Sequence, residues 1–121
     1  METKIDTASV YYRYYENNSI DYKIYTYLRF FSKGQYACFI SESDSIIDIN
    51  NLDKASHIGY YIMNDNTLEL ETPTGNFNTR SFRVIWDFEI SKSGNLLRKG
   101  KFPATYIKSK NIDLKPVKPN W

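Results

Sequence analysis

The segment from residue 80 to residue 91 carries an apolar side chain at every second position. Successive side chains of a β-strand point to opposite faces of the sheet, so this period of two predicts a long strand with one buried face. A shift of one residue would exchange the two faces, and the register of such a strand is therefore strongly specified. The apolar face consists of Phe82, Val84, Trp86, Phe88 and Ile90; we predict that the first four are mostly buried and that Arg83, Asp87 and Glu89 are mostly exposed.

The rest of the chain repeats this pattern in shorter pieces that are separated by turn residues. Aromatic residues make up 17% of the sequence, and aromatic and β-branched side chains favour strands. The turns contain Gly34, Gly94 or the run Asn64-Asp65-Asn66, all of which tolerate left-handed backbone. Strands are predicted at residues 9–16, 22–31, 35–41, 56–63, 67–72, 80–91 and 96–102, with pairing resumed at residues 104–108.

Consecutive hairpins of this kind predict an all-β fold, an antiparallel up-and-down meander that forms a small barrel or a half-barrel. One short helical segment is predicted near residues 44–53, with Ile46, Ile47 and Leu52 as its buried stripe, laid over an opening or an edge. The 121 residues suit a single domain. Pro116 and Pro119 predict an extended C-terminal tail that begins at about residue 109.

Composition narrows the classes of function. The sequence contains no run of about 18 apolar residues, so we expect no membrane span. The net charge of +2 is too small to favour nucleic acid by itself. Cys38 is the only cysteine and cannot form an internal disulfide. We expect a cytoplasmic location if the sequence is complete, and a cell-envelope or secreted location if a leader has been removed.

Two hairpins carry a resemblance to a known group. The run YTYLRFFSKG at residues 25–34 and the run GYYIMNDNTLEL at residues 59–70 resemble small, mostly uncharacterised bacterial proteins of the lipocalin-like (calycin-type) group. The resemblance extends over residues 22–90; the chain lacks the early Gly-x-Trp motif and the disulfide of typical lipocalins. The resemblance implies an antiparallel meander barrel that holds a small apolar ligand, and it assigns no catalytic residue.

The leading hypothesis is a non-catalytic binding module with a small apolar ligand inside the barrel. Ligand pockets are mostly apolar with a few polar groups, and Tyr22, Thr26 and Tyr61 supply polar groups here. An empty interior would favour this hypothesis, and a filled interior would favour a protein–protein interaction module. The candidate interior residues are Tyr22, Thr26, Leu28, Tyr36, Tyr61, Met63 and Trp86, together with Phe30, Leu68, Val84 and Phe88.

The strand at residues 22–31 has a second face, opposite the candidate interior residues, which is the basis of two alternative functions. This candidate interaction face consists of Lys23, Tyr25, Tyr27, Arg29 and Phe31. A closed barrel has one interior, and exposed aromatic patches usually mark contacts, so we expect residues 45–52, the C-terminal tail or another subunit to cover this face. The main alternative is a protein–protein interaction module that docks a protein partner or a second copy in a homodimer. Binding of nucleic acid or glycan through these bases and rings is a third and less favoured hypothesis.

Nothing in the sequence predicts catalysis, a metal or a cofactor, and we expect none of them. His57 is the only histidine, and no spacing connects it with a nucleophile. Cys38 shares a strand face with Tyr36 and Ile40 and is interpreted as a core residue. One histidine and one cysteine argue against a zinc site. The carboxylate pairs interpreted as exposed strand surface are Glu69 with Glu71 and Asp87 with Glu89.

Overall fold

The computed structural model describes residues 5–42, 48–74, 81–100, 103–109 and 114–119; the side chains of residues 22, 72–74 and 81–85 lie outside the described part. Every strand pairs antiparallel with its neighbours in the sequence, and β1 also pairs with β8. The sheet is therefore a closed barrel. Its strands are β1 Val10–Asn17, β2 Tyr22–Phe30, β3 Gln35–Ser41, β4 His57–Asn64, β5 Thr67–Thr74, β6 Ser81–Ile90, β7 Leu96–Arg98 and β8 Ala104–Ser109.

The closed barrel confirms the predicted all-β antiparallel meander and excludes the half-barrel. The sequence predicted a strand at residues 96–102, but β7 ends at Arg98. Gly100 has φ of +109°, a left-handed backbone that a continuing strand does not adopt. The chain then returns as β8, whose pairing with β1 completes the barrel.

The interior is filled by one cluster of buried side chains. Leu28 lies opposite Tyr11 on one side and Cys38 on the other, and paired residues share a face of the sheet. The N-terminal segment closes one end of the barrel, which we call the floor, because Ile5 is buried in the same cluster. The cluster comprises Ile5, Tyr11, Leu28, Phe30, Tyr36, Cys38, Leu68, Leu70, Phe88, Ile90, Leu96 and Tyr106.

The strand with the strongest periodicity agrees only in part with its prediction. Phe88 is 1% exposed and Asp87 is exposed, as predicted. Trp86 and Glu89 are both half-buried, whereas we predicted a mostly buried tryptophan and a mostly exposed glutamate. Trp86 lies towards the end of the barrel opposite the floor, and Glu89 forms an ion pair with Lys99 at 2.8 Å.

The register between β5 and β6 shifts next to Trp86. Leu70 pairs with Trp86, but Glu71 pairs with Val84, so one residue of β6 is passed over. A β-bulge of this kind interrupts the period of two on the strand that carries it. The predicted burial of Phe82 and Val84 and the predicted exposure of Arg83 concern side chains outside the described part.

The helical segment expected near residues 44–53 is a single 3-10 turn, Leu52–Lys54, and residues 43–47 lie outside the described part. Asn51 caps this turn by accepting a hydrogen bond from the Asp53 amide at 3.1 Å. The asparagine pair before the turn disfavours a longer helix. Within the described ranges, no helix is long and apolar enough to cross a membrane.

The segment around this turn lies against the outside of the barrel wall, which corrects its expected position over an opening or an edge. Ile49 is buried in a second hydrophobic cluster on the outer face of β2 and β3, and Leu52 packs against it. Leu114 and Val117 of the C-terminal tail pack against the same cluster. This part of the wall is therefore buried on both faces. The outer cluster consists of Val10, Phe31, Ala37, Phe39 and Ile49.

Candidate functional site

The end of the barrel opposite the floor is lined by the buried Thr26 and by side chains that are only partly buried, and we call it the mouth. Three of its polar residues point inward, because their cross-strand partners are buried interior residues. Arg13 lies opposite Thr26, His57 opposite Cys38, and Arg98 opposite Phe88. The mouth residues are Arg13, Thr26, His57, Trp86, Arg98 and Ala104.

Aromatic rings form the base of the mouth. The His57 ring lies 5.6 Å from the Trp86 ring and 6.1 Å from the Tyr36 ring, both in edge-to-face geometry. The Trp86 ring also lies 6.4 Å from the ring of Tyr106. Trp86 therefore lies between His57 and Tyr106, and together with Tyr36 these rings form an aromatic layer at the base of the mouth.

The structure divides the sequence-predicted interior residues into two groups. Leu28 and Tyr36 are fully buried in the packed interior, with Phe30, Leu68 and Phe88 around them. Tyr61 and Met63 pack against the same cluster towards the floor, and the Tyr61 hydroxyl donates to the Phe31 carbonyl at 2.6 Å. Thr26 and Trp86 lie at the mouth, and the Tyr22 side chain lies outside the described part. The predicted residues therefore do not line one continuous cavity.

Two buried polar atoms at the base of the mouth have no hydrogen-bond partner among the described residues. They are Tyr36 Oη and His57 Nε2. Burial, with the nearby Cys38 thiol, raises the pKa of the Tyr36 phenol, and burial lowers the pKa of His57, so both groups are neutral near pH 7. A phenol and a neutral imidazole each offer a donor or an acceptor. Both atoms therefore keep a hydrogen-bonding capacity that no described residue uses.

Two guanidinium groups lie on the other side of the mouth, around Tyr106. Arg13 and Arg98 both lie close enough to Tyr106 for their charges to act on its phenol, and Arg98 lies over the Trp86 ring at 5.5 Å. Burial raises the pKa of Tyr106, and the positive charges of Arg98 and Arg13 act in the opposite direction. The mouth thus combines cationic and aromatic groups.

Cys38 is a core residue, as predicted. It is fully buried, and burial raises its pKa to about 12, so the thiol stays protonated at neutral pH. A protonated thiol is a poor nucleophile. Among the described side chains, no three His, Cys, Asp or Glu residues come together in a group that could hold a metal ion.

The candidate interaction face is covered, as predicted, but not uniformly. Arg29 and Phe31 are buried beneath the 48–54 segment and the C-terminal tail. Tyr27 stacks on Tyr12 of β1 at 6.3 Å and is half-buried. Tyr25 contacts Tyr14 at 4.7 Å. Because Arg29 and Phe31 face the protein, only Lys23 and the partly exposed tyrosines are accessible on this face, and the geometry does not favour nucleic-acid or glycan binding there.

Hydrogen bonds from Arg29 explain how this face is covered. Its guanidinium donates to the carbonyls of Ile49 and Lys115 and to the side-chain oxygen of Asn50. The same Asn50 oxygen accepts from the Lys115 amide at 2.7 Å. We call Arg29, Ile49, Asn50 and Lys115 the Arg29 lock. It fastens both the 48–54 segment and the tail to the outside of β2.

Two grooves flank the tail on the outside of the barrel. One, of about 660 Å³, lies between residues 48–53 and the tail, and the other, of about 430 Å³, lies between the β2–β3 turn and the tail. Val117 and Lys118 line both grooves. Neither groove coincides with the interior site that the sequence predicted.

Sequence reasoning missed Arg13 and Arg98 and interpreted His57 as an ordinary residue. Polar residues in strands are usually read as solvent-facing. The available signal was the alternation of side chains between the two faces of a strand. Arg13 is two residues from Tyr11, and Arg98 is two residues from Leu96, so each shares a face with a buried residue. In β1 the alternation did not identify the inner face, because Tyr12 and Tyr14 make the outer face equally aromatic.

Comparison of the chain with known proteins adds no further assignment, since no family model, no curated protein and no solved structure matches it.

Proposed function

We propose that this protein is a non-catalytic, lipocalin-like binding module that holds a small, largely apolar ligand at the mouth of its barrel. The observation that carries the proposal is the pair of buried polar atoms, Tyr36 Oη and His57 Nε2, at the base of the mouth. Buried polar atoms are hydrogen-bonded in the great majority of cases, and leaving one unsatisfied costs about 1–3 kcal/mol. A polar group of a ligand would satisfy these atoms, while Trp86 contacts its apolar part.

The filled floor sets the depth of the site. Leu28, Phe30 and Phe88 are at most 1% exposed, so the lower interior is close-packed core. The ligand would therefore occupy the mouth above Tyr36 rather than the whole length of the barrel. This depth favours a compact molecule over a long acyl chain.

Quenching of Trp86 fluorescence by a neutral apolar dye, N-phenyl-1-naphthylamine, tests the proposal. The chain has two tryptophans, so a Trp121→Phe background makes Trp86 the only reporter. We expect saturable quenching together with thermal stabilisation. A ligand at 100 times its Kd should add about 2.7 kcal/mol to the free energy of unfolding, which a melting curve detects.

A matched pair of variants locates the bound dye. Ala104 is half-buried and faces the mouth, whereas Thr105, the next residue of β8, is exposed on the outside. We expect Ala104→Phe to fill the mouth and abolish quenching, and Thr105→Phe to leave it unchanged. Equal binding by both variants, or no binding of any apolar probe by the parent protein, would remove the proposal.

By the criterion stated from the sequence, the filled lower interior favours an interaction module over a ligand deep inside the barrel, and self-association through the outer surface is therefore the second candidate function. Large apolar side chains are exposed on three adjoining strands: Tyr14 of β1 at 41%, Ile107 of β8 at 47% and Leu97 of β7 at 36%. Ile107 lies opposite Tyr12, so these residues belong to one outer surface. If this surface binds a second copy, Ile107→Glu should shift sedimentation towards the monomer. Ile62→Glu changes a residue that is equally exposed, at 48%, on β4 at the other side of the barrel, and should have less effect. A parent protein that stays monomeric at high concentration would exclude self-association.

A further inference from the structure

The tail at residues 114–119 is held on the outer wall through its main chain. It belongs to no helix or strand. Asn50 Oδ1 accepts from the Lys115 amide at 2.7 Å, and Arg29 Nη2 donates to the Lys115 carbonyl. Lys115 itself is exposed, so these two bonds hold the backbone and do not depend on its side chain. Domains that bind extended peptides hold the peptide main chain in the same way.

Two apolar anchors of the tail lie three residues apart. Leu114 and Val117 are half-buried and pack against the outer cluster. Lys115, Pro116 and Lys118 are exposed. A period of three is that of the polyproline II helix, the conformation in which proline-containing peptides dock on aromatic grooves. The tail therefore combines backbone hydrogen bonds with regularly spaced side-chain anchors.

The part of the Arg29 lock that receives the tail is complete without the tail. Arg29 Nη1 donates to the Ile49 carbonyl and to Asn50 Oδ1, and neither acceptor belongs to the tail. Arg29 is 5% exposed, so its position is fixed by packing as well as by these bonds. Release of the tail would remove only the two bonds to Lys115. The remaining groups would stay arranged for another segment, and such preorganisation favours binding.

The tail leaves part of this site unused. Arg29 Nε is buried and has no hydrogen-bond partner among the described residues, although buried donors are almost always satisfied. Grooves remain on both sides of the tail. The described lining of the larger groove includes two carboxylates, Asp48 and Asp53, beside Lys118 of the tail. The site therefore has room, a spare donor and acidic side chains that complement a basic segment.

We infer that the outer wall of β2 and β3 is a docking site for an extended, basic, proline-containing peptide of a partner protein, and that the tail is its intramolecular occupant. The partner segment carries two apolar residues three apart, as the tail does in the sequence LKPVKP. The tail must leave before the partner binds, so it limits access to the site. This inference goes beyond the proposed function, because the mouth lies inside the barrel and the docking site outside it.

Fluorescence anisotropy with a labelled peptide tests the inference on the full chain. The peptide has the sequence of residues 112–119, and Leu114→Ser with Val117→Ser in the protein removes both anchors of the tail. We expect saturable binding to this double variant. The parent should bind at least about tenfold more weakly, because a tethered competitor acts at an effective concentration on the order of millimolar. A peptide with serine at both anchor positions should not bind.

Charge-matched variants locate the bound peptide. In the double variant, Asp48→Asn with Asp53→Asn should weaken binding several-fold and reduce its dependence on salt. Asp65→Asn makes the same change at an exposed residue of the β4–β5 turn and should leave binding unchanged. If the double variant does not fold, Val117→Ser alone keeps one anchor and should bind the peptide more tightly than the parent does.

Four outcomes would overturn the inference. They are no binding to a folded tail variant, equal binding by the parent, equal binding of the serine peptide, and equal effects of the Asp65 and the Asp48/Asp53 changes. Parent dimers that sediment as monomers after Leu114→Ser with Val117→Ser would identify the tail of a second copy as the occupant and overturn the assignment to a partner protein. None of these measurements uses the dye that tests the mouth, so the inference and the proposed function fail separately.

Discussion

Arg29 joins three parts of the chain on the outside of the barrel, so its removal should have a large and specific effect. Its Nη1 donates to the Ile49 carbonyl at 3.0 Å and to Asn50 Oδ1 at 2.9 Å, and its Nη2 donates to the Lys115 carbonyl. The side chain is 5% exposed, and its guanidinium lies 5.2 Å from the Phe31 ring. Arg29→Met keeps the apolar stem and removes every one of these donors. We expect the 48–54 segment and the tail to detach from the wall.

The magnitude follows from two opposing contributions. Each hydrogen bond from a charged group contributes about 1.5–3 kcal/mol, and Arg29 makes three. Burial opposes them, since withdrawing a charged group from water costs several kcal/mol, and the same burial lowers the pKa of Arg29. Methionine does not carry that cost. The net loss in the free energy of unfolding should therefore be about 2–4 kcal/mol.

Urea unfolding measures the total loss, and hydrogen exchange of the Lys115 amide reports the lock itself. That amide donates to Asn50 Oδ1, so its protection should fall in Arg29→Met before the strands lose theirs. Lys23→Met on the same face of β2 is the matched control and should cost under about 0.5 kcal/mol. A stability within 0.5 kcal/mol of the parent protein, or an unchanged Lys115 protection, would refute the assignment of the lock to Arg29.

Three further predictions concern the interior. Phe88→Ala should lower the free energy of unfolding by about 3–5 kcal/mol, because it empties a fully buried position; a loss under 1 kcal/mol in urea denaturation would contradict the packing. Gly59→Ala should cost about 1–3 kcal/mol in the same assay, because its new methyl group would press on the Glu71 carbonyl and lie 2.8 Å from the Tyr36 ring. The pKa of His57 is lowered by burial, so the unfolded state binds its proton more readily and stability should fall as pH decreases below 6.5; His57→Gln should flatten this part of the stability profile.

The class of fold was predictable because alternation and turn chemistry point the same way along most of the chain. Gly34 and Gly94 both have positive φ, at +81° and +91°, as tight turns between antiparallel strands require. The half-barrel alternative could not be excluded from sequence, because closure depends on the pairing of β8 with β1, the two strands farthest apart in the chain. Only tertiary structure decides whether such distant edges meet.

The sequence predicted that the outer face of β2 is covered, but it did not predict which interactions hold the covering segments in place. The excess of aromatic residues on the outer side of β2 showed that something must cover it, since one barrel has only one interior. The role of Arg29 was not predictable, because its acceptors are two backbone carbonyls and the Asn50 side chain, which lie 20 or more residues away in sequence. Backbone acceptors have no signature in the amino-acid sequence.

The mouth was the least predictable part, and its physical character explains why. Arg13, His57 and Arg98 occupy inward positions where the alternation of the strands calls for apolar residues. Such positions carry a cost in stability, because partly buried charges and unsatisfied polar atoms lose solvation. The packed floor and the pairing of β1 with β8 can offset this cost, since they hold the barrel closed without help from the mouth. Polar residues at inward positions of the strands are therefore concentrated at one end of the barrel. Folded proteins usually retain such exceptions to the strand pattern at functional sites. At these positions a packed core would carry apolar residues, and a bound ligand would use the polar groups that lie there instead.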